Sequence, residues 1–549
     1  MFNKKLVFAL LLLILALAVF LRFWRLDQIP PGLYPDVAVN GTNALDALKT
    51  GNFKIFYPDN NGREGLFINI IALSLWLFGP SIWAIKFVAA IIGSLTILGL
   101  YLLARNMFGH LPQAKRELIA LLSAFLLTFS FWHLDFSRLG FRAIMVPFIL
   151  AWSFYFLFKG LKATQIFGLH TDGSDDKGWA GFYLVIAGLF FGLGFHTYIS
   201  YRVAPLILLP LLFFSFLAIK KHSKKLVKKT LIYWVIFFVS VFIIAAPIGY
   251  YFLTHSQDFM GRTGQVSVLS SANPLKELAI SVAKTLGMFN IQGDCNWRHN
   301  YACQPELLWP VGLFFLIGIG LSFFEAFRPK NWRQKDWWTL SVYWTLIFIF
   351  FGMLLPAIMS REGLPHALRS IGAIPPTFIF AGLGLAFIFW LFQDLYFKKG
   401  WRLFLLYALL FLALAGIGFT EFYRYFFDWG TRQETKSEFT QQLVNEGNYI
   451  NFLPDNVIKY VLANEGGVPV PYPDGIPMPT QTIMFITYGK ENIKYLLPSQ
   501  NSQVLITDGP TVFVPLKYEG EIFKTLQEKF PNGKIEKIQN EFSVFRIGF

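Results

Sequence analysis

The sequence predicts an all-α polytopic membrane protein that carries a C-terminal extracytoplasmic α/β domain. Of its 549 residues, 55% are hydrophobic and only 15% are charged, whereas soluble proteins average about 25% charged residues. The mean hydropathy is accordingly positive, at +0.48. Apolar runs of the length needed to cross a bilayer recur through residues 1–420 and are missing from residues 421–549. These two segments are the predicted transmembrane domain and the predicted soluble domain.

About eleven segments are predicted to span the membrane. The first has the basic start of a signal peptide, but its apolar stretch continues into Phe23 and Trp24 without a small-residue cleavage site. We therefore expect an uncleaved span. A shorter apolar segment, 66–78, is expected to lie along the outer membrane surface. The predicted spans are 5–24, 82–104, 117–133, 140–159, 181–198, 203–219, 231–253, 306–326, 338–357, 370–392 and 402–420.

Basic residues between the spans set the predicted orientation. Lysine-rich segments at 219–229, 327–335 and 397–402 are typical of cytoplasmic loops. They account for the net charge of +15, so no nucleic-acid partner is predicted. With the N-terminus also cytoplasmic, an odd number of spans places the C-terminal domain outside. We therefore expect a multi-pass protein of the cell membrane whose first outer loop covers residues 25–81.

The C-terminal segment 421–549 has the short alternating patterns of a small α/β domain. Strands are predicted within "NVIKYVLAN", "TIMFITYG", "TVFVPLK" and "FSVFRIGF", and a helix within "EGEIFKTLQEKF". The segment lacks a nucleophile elbow, a phosphate-binding loop and cysteines at metal-binding spacing. We expect an accessory domain that binds the acceptor or has a packing role.

Charged residues other than lysine concentrate in the loops that are predicted to face outward. The first outer loop contains the carboxylates Asp36 and Glu64 and the guanidinium of Arg63. A carboxylate can accept a proton from an attacking hydroxyl, and arginine binds phosphate through two parallel hydrogen bonds. This combination suits a reaction on an anionic lipid headgroup. The other outer arginines are Arg138, Arg142, Arg202, Arg361 and Arg369.

Each of these residues also has a purely structural interpretation. Asp36 suits the N-terminal cap of a short helix that is predicted over 38–49. Arg202 lies beside Tyr198 and Tyr201, a composition typical of an interfacial aromatic belt. Arginines at span ends commonly extend to lipid headgroups. The functional interpretation rests on the accumulation of such groups on one predicted side.

The cysteines and histidines leave two further questions. Cys295 and Cys303 are the only cysteines and lie in the predicted outer loop 254–305. An oxidising compartment favours a disulfide between them, with two free thiols as the alternative. His366 and His196 are candidate metal ligands together with Glu64, but their spacing does not require a metal. We expect no cofactor to be required, and a divalent metal is left open.

The order of the outer motifs resembles that of the GT-C glycosyltransferases. This class includes the dolichyl- or polyprenyl-phosphate-mannose-protein mannosyltransferases of glycosyltransferase family 39 and the bacterial aminoarabinose transferases. The resemblance rests on Asp36 after Tyr-Pro, on "NALDALKTGNF", and on the long segment that begins "NNGREGLFINI". "SRLGFRAIMVPF", "TYISYRVAP" and "LPHALRSIGAIPP" follow in the family's order. The chain departs from the family at Asp36-Val37, where many members have Asp-Glu, and at "REGL", where O-mannosyltransferases have "HPPL".

The resemblance implies a GT-C fold and a glycosyltransferase that uses a polyprenyl-phosphate-linked sugar donor on the outer face of the membrane. The implied reaction is one inverting displacement, with Asp36 as base and Glu64 as the second carboxylate. The acceptor would be a hydroxyl of a protein, a lipid or a cell-envelope glycan, and membrane lipids are further partners. The residues expected to bind the donor phosphate are Arg63, Arg138, Arg142, Arg202 and Arg369, and those expected to bind substrate are Tyr198, Tyr201, Arg361, Glu362 and His366.

Two other classes of function compete with the enzyme. A polytopic lipid or glycan transporter or flippase tends to carry ionisable residues at mid-membrane depth and to consist of two related halves. This chain keeps its charges at the outer ends of its predicted spans and has no obvious internal repeat. A non-catalytic assembly or sensor protein would leave the first-loop pattern and the arginines without a purpose. The sequence therefore favours the enzyme.

Overall fold

The computed structural model describes residues 3–167, 178–220, 224–259, 267–397, 400–466, 475–497, 500 and 509–549. The chain forms two compact units. The first consists of Met1–Trp24 and Ala89–Trp429, and the second of Arg25–Val88 and Gly430–Phe549. The second unit thus contains both the first loop and the C-terminal segment, which the sequence assigned to separate domains.

The apolar segments form the helices that the composition predicts. They are α1 (Lys4–Phe23), α4 (Ile82–Met107), α5 (Gln113–Phe129), α6 (Phe131–Leu139), α7 (Met145–Thr164), α8 (Ala180–Gly194), a 3-10 segment (Ile199–Leu208) that continues into α9 (Leu209–Ile219), α10 (Lys224–Thr254), α12 (Trp309–Phe327), α14 (Trp337–Ile358), α15 (Ile374–Leu395) and α16 (Gly400–Tyr423). Two shorter helices, α11 (Pro274–Gly287) and α13 (Pro329–Gln334), lie between them.

The number of candidate spans in the described residues is slightly below the predicted number of about eleven. Within the described residues, nine helices are long and apolar enough to cross a membrane. A tenth is counted if α5 and α6, which are bent by 57° at Ser130, form one broken span. The helix α8 corresponds to the predicted span 181–198 but has only 15 residues. All eleven predicted segments are therefore helical, and the prediction of a helical multi-pass membrane protein is confirmed.

Small residues bring the membrane helices of the first unit close together. A Cβ atom added at Gly318 of α12 would lie 1.8 Å from the carbonyl oxygen of Phe380 on α15. Conversely, a Cβ at Gly384 of α15 would lie 2.0 Å from the carbonyl oxygen of Phe314 on α12. Close backbone approach of this kind is how helices associate within lipid, where the hydrophobic effect gives little attraction between them.

The second unit begins with the first loop. Its elements are α2 (Pro35–Thr50), a short antiparallel hairpin of β1 (Phe56–Tyr57) and β2 (Arg63–Glu64), and α3 (Gly65–Phe78), which is the apolar segment expected along the membrane surface. The backbone of this loop is joined to the C-terminal part of the chain, because the carbonyl oxygen of Leu33 accepts hydrogen bonds from the hydroxyls of Thr440 and Thr482. This shared hydrogen bonding makes the two segments one unit.

The C-terminal part of the second unit is a five-stranded mixed sheet with the strand order β4-β3-β5-β7-β6. Both β4 and β5 pair with β3 in parallel, whereas β7 pairs with β5 and β6 antiparallel. The strands are β3 (Ile458–Leu462), β4 (Ile493–Leu496), β5 (Thr511–Pro515), β6 (Lys534–Ile538) and β7 (Phe542–Ile547), and the helices are α17 (Gln433–Glu438), α18 (Gln441–Phe452), α19 (Gln481–Ile486) and α20 (Gly520–Lys529).

Alternate residues of the strands fill a core on each face of this sheet. Val461 and Val512 pack in the cluster that contains Ile450 of α18, whereas Tyr460 and Phe513 pack in the opposite cluster. This alternation is what the two-residue period of a strand requires. The α/β prediction for this part of the chain is therefore confirmed.

One strand prediction in this domain is wrong. The segment "TIMFITYG" lies mostly within the helix α19, which packs against α2 of the first loop. A short apolar run has no periodicity that distinguishes a buried strand from a buried helical turn. Here Ile483 and Phe485 are both buried, because sheet and first loop cover the short helix from two sides.

Candidate functional site

Asp36 lies in the first turn of α2 and is half-buried. The helix starts at Pro35, a residue that suits the first helical position because it has no N–H group to satisfy. The N-cap is Tyr34, so Asp36 is not the capping residue. Its Oδ1 instead accepts a hydrogen bond of 2.8 Å from Asn60 Nδ2. The carboxylate is thus oriented by a residue of the hairpin turn and favoured by the N-terminal end of the helix dipole.

The turn that supplies this amide is built from residues that tolerate left-handed backbone conformations. Asn60, Asn61 and Gly62 have φ values of 52°, 61° and 84°. Asparagine and glycine adopt this region more readily than other residues. The sequence "DNNG" therefore closes the hairpin and presents Asn60 towards Asp36.

Arg63 holds the same hairpin against α2. Its side chain is only 1% exposed. Nη1 donates to Asn40 Oδ1 at 2.7 Å, Nη2 to Asn43 Oδ1 at 2.5 Å, and Nε to the Asp59 carbonyl oxygen at 3.3 Å. Asn40 and Asn43 are three residues apart, so both lie on one face of the helix. The guanidinium that the sequence assigned to the donor phosphate therefore cross-links the first loop internally.

Glu64, the second predicted carboxylate, is buried in the structure. It is 2% exposed and is the N-cap of α3, but its side chain makes no capping hydrogen bond. Its position opposite Phe56 in the hairpin fixes the backbone at this point. Asp36 and Glu64 thus differ in solvent access, and Asp36 is the more accessible of the two.

Two of the residues predicted for substrates in the first unit are fully buried. Arg138 donates to the carbonyl oxygens of Leu21 and Trp24 at 2.6 and 2.8 Å. These carbonyls lie at the C-terminal end of α1, where the last turn leaves them without intrahelical partners. Tyr201 is also buried, and its hydroxyl donates to the carbonyl oxygen of Phe191 at 3.1 Å.

Arg142, Tyr198 and Arg202 are half-buried. The Arg142 guanidinium lies 5.2 Å from the centre of the Tyr198 ring, which brings two predicted site residues together. Arg202 donates from Nη1 to the Phe259 carbonyl oxygen at 2.7 Å and lies over the Phe259 ring. In a cation–π contact the cation lies over the face of the aromatic ring, whereas phosphate is bound by the edge of a guanidinium.

The segment 360–370 contains four other predicted residues, and the structure brings two of them into contact. Arg369 Nη2 and Glu362 Oε2 form an ion pair of 2.8 Å, and Arg369 also bonds to the hydroxyl of Ser360. Arg361 is exposed. His366 belongs to the same segment, and its surroundings were not anticipated from the sequence.

His366 lies beside Asp294 and His299, two residues that sequence reasoning did not select. His299 Nδ1 is 3.0 Å and His366 Nδ1 is 3.7 Å from Asp294 Oδ2. The sequence paired His366 with His196 as metal ligands, but His196 Nε2 contacts the Ile244 carbonyl oxygen at 2.8 Å. A signal for the observed cluster was present in "GDCNWRHN", where Asp294 directly precedes Cys295 and His299 lies between the two cysteines.

A disulfide joins Cys295 and Cys303 in this loop, with Cα atoms 4.0 Å apart. The bond closes a turn that contains His299 and that Asp294 directly precedes. Glu306, which follows the turn, accepts a hydrogen bond from the Asp294 N–H at 3.0 Å.

An apolar groove opens between three membrane helices of the first unit. Its volume is about 740 Å³. Helices α1, α5 and α16 line it. The lining includes Leu10, Leu17, Leu121, Phe125, Leu414 and Phe422. Apart from Tyr407, the lining residues have hydrocarbon side chains or none, and such a lining suits an acyl or isoprenoid chain.

Comparison with known proteins gives one family match. The family described as dolichyl-phosphate-mannose-protein mannosyltransferase matches residues 66–251. No curated protein matches the sequence. The family match covers about a third of the chain, from α3 to near the end of α10.

Solved structures resemble the fold over nearly its whole length. ArnT from Cupriavidus metallidurans, bound to undecaprenyl phosphate, has a TM-score of 0.52 at 13% identity and 97% coverage of both chains. The apo oligosaccharyltransferase of Archaeoglobus fulgidus has a TM-score of 0.52 at 14% identity, over 91% of this chain and 65% of that one. AglB from Archaeoglobus fulgidus, in complex with an inhibitory peptide and a dolichol-phosphate, has a TM-score of 0.50 at 14% identity, over 99% and 74%.

These similarities define the fold. The chain is a multi-pass membrane protein with the GT-C fold, as its motifs led us to expect. At such low identity the structural likeness establishes the fold, and fold alone does not determine the reaction.

Proposed function

We propose that this protein is an integral membrane glycosyltransferase that moves a sugar from a polyprenyl-phosphate-linked donor to an acceptor hydroxyl on the outer face of the membrane. The observation that carries the proposal is Asp36, a half-buried carboxylate in the first turn of α2 that the hairpin amide of Asn60 orients. The family match and the GT-C fold support the class of reaction. The bound lipid phosphates of the ArnT and AglB structures support the class of donor.

In the proposed reaction, Asp36 accepts the proton of the acceptor hydroxyl as that oxygen attacks the anomeric carbon. The bond between the anomeric carbon and the phosphate oxygen breaks, and the lipid phosphate leaves with the electron pair. Attack and departure on opposite sides of the sugar invert its anomeric configuration. A positioned base contributes about 10²–10⁴-fold to such a proton transfer.

Among the predicted phosphate ligands, we assign the strongest case to Arg142. Arg63 and Arg138 are buried and bond to internal oxygens, and Arg369 is paired with Glu362. Arg142 is half-buried, and its guanidinium lies 5.2 Å from the centre of the ring of Tyr198, another predicted substrate residue. Arginine binds phosphate through two parallel hydrogen bonds from the edge of its guanidinium.

We further propose that the groove between α1, α5 and α16 accommodates the isoprenoid tail of the donor. Its lining is apolar apart from Tyr407, and it opens between membrane helices from which a lipid can enter laterally. Burying each methylene of a chain in such surroundings contributes about 0.8 kcal/mol when the alternative is water. In a membrane the alternative is lipid, so the groove would contribute orientation more than affinity.

The experiment that tests the proposal compares two carboxylates of one helix. Purified wild-type protein is incubated with polyprenyl-phosphate sugars and candidate acceptors, and the release of polyprenyl phosphate is measured. Asp36→Asn should lower turnover by about 10²-fold or more while donor binding stays close to that of the wild type. The control is Asp46→Asn, because Asp46 lies on the same helix, is exposed and accepts a hydrogen bond from the Tyr488 hydroxyl at 2.7 Å.

The outcome separates the candidate functions. Loss of turnover in Asp36→Asn but not in Asp46→Asn supports a base at position 36. Equal turnover of Asp36→Asn and wild type would overturn that role. Movement of intact donor across proteoliposomes, without release of polyprenyl phosphate by any variant, would identify a flippase instead.

A further inference from the structure

We infer that Asp294, His299 and His366 form a binding site for one divalent transition-metal ion, with Zn²⁺ as the best chemical fit. Each of the three residues offers one ligand atom, and these atoms all lie within 4.8 Å of one another. Asp294 and His299 are buried, and His366 is partly exposed. The inference does not depend on the proposed transferase reaction.

Two distances in the cluster are close to those expected around a shared ion, although the shorter one also fits a hydrogen bond. The Asp294 to His299 distance of 3.0 Å suits a hydrogen bond, but the Asp294 to His366 distance of 3.7 Å is too long for one. Ligands held about 2.0–2.1 Å from a tetrahedral zinc ion are about 3.3–3.4 Å apart. Both measured distances lie within a few tenths of an ångström of that separation.

The ligand types select the class of metal. Two imidazoles and one carboxylate are typical of zinc and of neighbouring transition metals, whereas Mg²⁺ and Ca²⁺ prefer oxygen ligands. Three protein ligands leave a fourth position of a tetrahedral site for water or another ligand. The imidazole rings of His299 and His366 are stacked, with centres 5.0 Å apart and planes 25° apart. Coordination therefore requires a rotation of the His366 ring, which its partial exposure allows.

The carboxylate is oriented by groups around it. Its Oδ1 accepts from the Asn296 N–H and its Oδ2 from the Ala367 N–H, both at 2.9 Å. The rings of Phe136 and His299 lie 5.9 Å apart and shield the site on one side. Such supporting contacts fix the direction of a ligand before the metal arrives.

An ion in this position would join two loops that are distant in sequence. His299 lies in the turn closed by the disulfide and Asp294 directly precedes it, whereas His366 belongs to the segment that carries the Arg369–Glu362 ion pair. Metal binding would therefore restrict the segment 360–370 relative to the turn. Removal of the ion should loosen that segment without unfolding the helices.

The test measures metal binding directly, without any substrate. The full chain is purified, its affinity tag is cleaved because oligohistidine binds zinc, and the protein is stripped with a chelator and dialysed. Zn²⁺ alone is then titrated by calorimetry, and bound zinc is counted by mass spectrometry after gel filtration. The variant is His366→Gln, at the partly exposed ligand, and the control is His255→Gln, at an exposed histidine outside the cluster.

We expect one zinc ion per chain in the wild type and in His255→Gln. His366→Gln should bind zinc at least about 100-fold more weakly, since even outer-shell partners contribute about 10–100-fold. Hydrogen exchange in residues 360–370 should slow when zinc is added to the wild type and should not change in His366→Gln. Substoichiometric binding by the wild type, or equal zinc affinity of the wild type and His366→Gln, would overturn the inference.

Discussion

Replacing Arg63 by alanine should destabilise the first loop, because this buried guanidinium holds the hairpin against α2. It donates to Asn40, Asn43 and Asp59 at distances of 2.5–3.3 Å. Hydrogen bonds to charged groups contribute about 1.5–3 kcal/mol each, and removing one partner of a buried charged network costs about 3–5 kcal/mol. A domain of 150–250 residues loses roughly 2–4 °C in Tm per kcal/mol. The second unit should therefore melt roughly 6–20 °C lower.

The assay is thermal unfolding of the purified protein in detergent, combined with hydrogen exchange of residues 34–64. The matched control is Arg25→Ala, at an exposed arginine of the same loop, which should change stability by less than about 0.5 kcal/mol. If Arg63→Ala melts with the wild type and only its KM for the donor rises, Arg63 is a phosphate ligand. The positioning role derived from its hydrogen bonds would then be refuted.

Two further predictions concern the groove and the soluble sheet. Leu414→Trp should narrow the groove and raise the KM for a long-chain donor more than the KM for a short-chain donor. The control is Leu412→Trp, on an exposed face of the same helix, which should change the two KM values equally. If the two variants have the same effect on these KM values, the groove is not the tail site. Burial raises the pKa of Glu446 well above its ordinary value of 4.5, so its contribution to stability is full below pH 4.5 and is lost as the pH rises towards the folded-state pKa. Glu446→Gln can keep the contact with Gln442. It should therefore raise the Tm at pH 7 and leave the Tm nearly unchanged at pH 4. An equal change in Tm at both pH values would contradict the burial argument.

The membrane architecture could be predicted from sequence because span length and loop charge are local properties. Each of the eleven predicted segments contains a helix, including the bent pair α5 and α6. The bend at Ser130 was not predicted. Its hydroxyl caps α6 by accepting from the His133 N–H, and a serine within an apolar run does not reveal whether it caps a new helix or lies within one.

The arginines show why the candidate site was harder to predict than the fold. Arg138 and Arg142 are four residues apart and looked equivalent in the sequence. In the structure Arg138 binds the carbonyl end of α1, more than a hundred residues away in sequence, whereas Arg142 contacts Tyr198. A guanidinium can bind carbonyl oxygens, as Arg138 does, or contact an aromatic ring, as Arg142 does. Which of the two it does depends on long-range packing, which no local sequence pattern reveals.

In the first loop, too, the role of a residue depends on the residues that it contacts. This dependence bears directly on the proposed base, Asp36. Asp36 was a candidate for either a helix cap or a base, and the two roles differ in what its oxygens contact. The cap position belongs to Tyr34, and the contact of Asp36 Oδ1 is Asn60. Asn60 is held by a hairpin whose other end is Arg63, which bonds back to α2 through Asn40 and Asn43. The orientation of the carboxylate is therefore a property of the whole closed loop, and loosening the loop at Arg63 should reduce turnover even though Asp36 itself is intact.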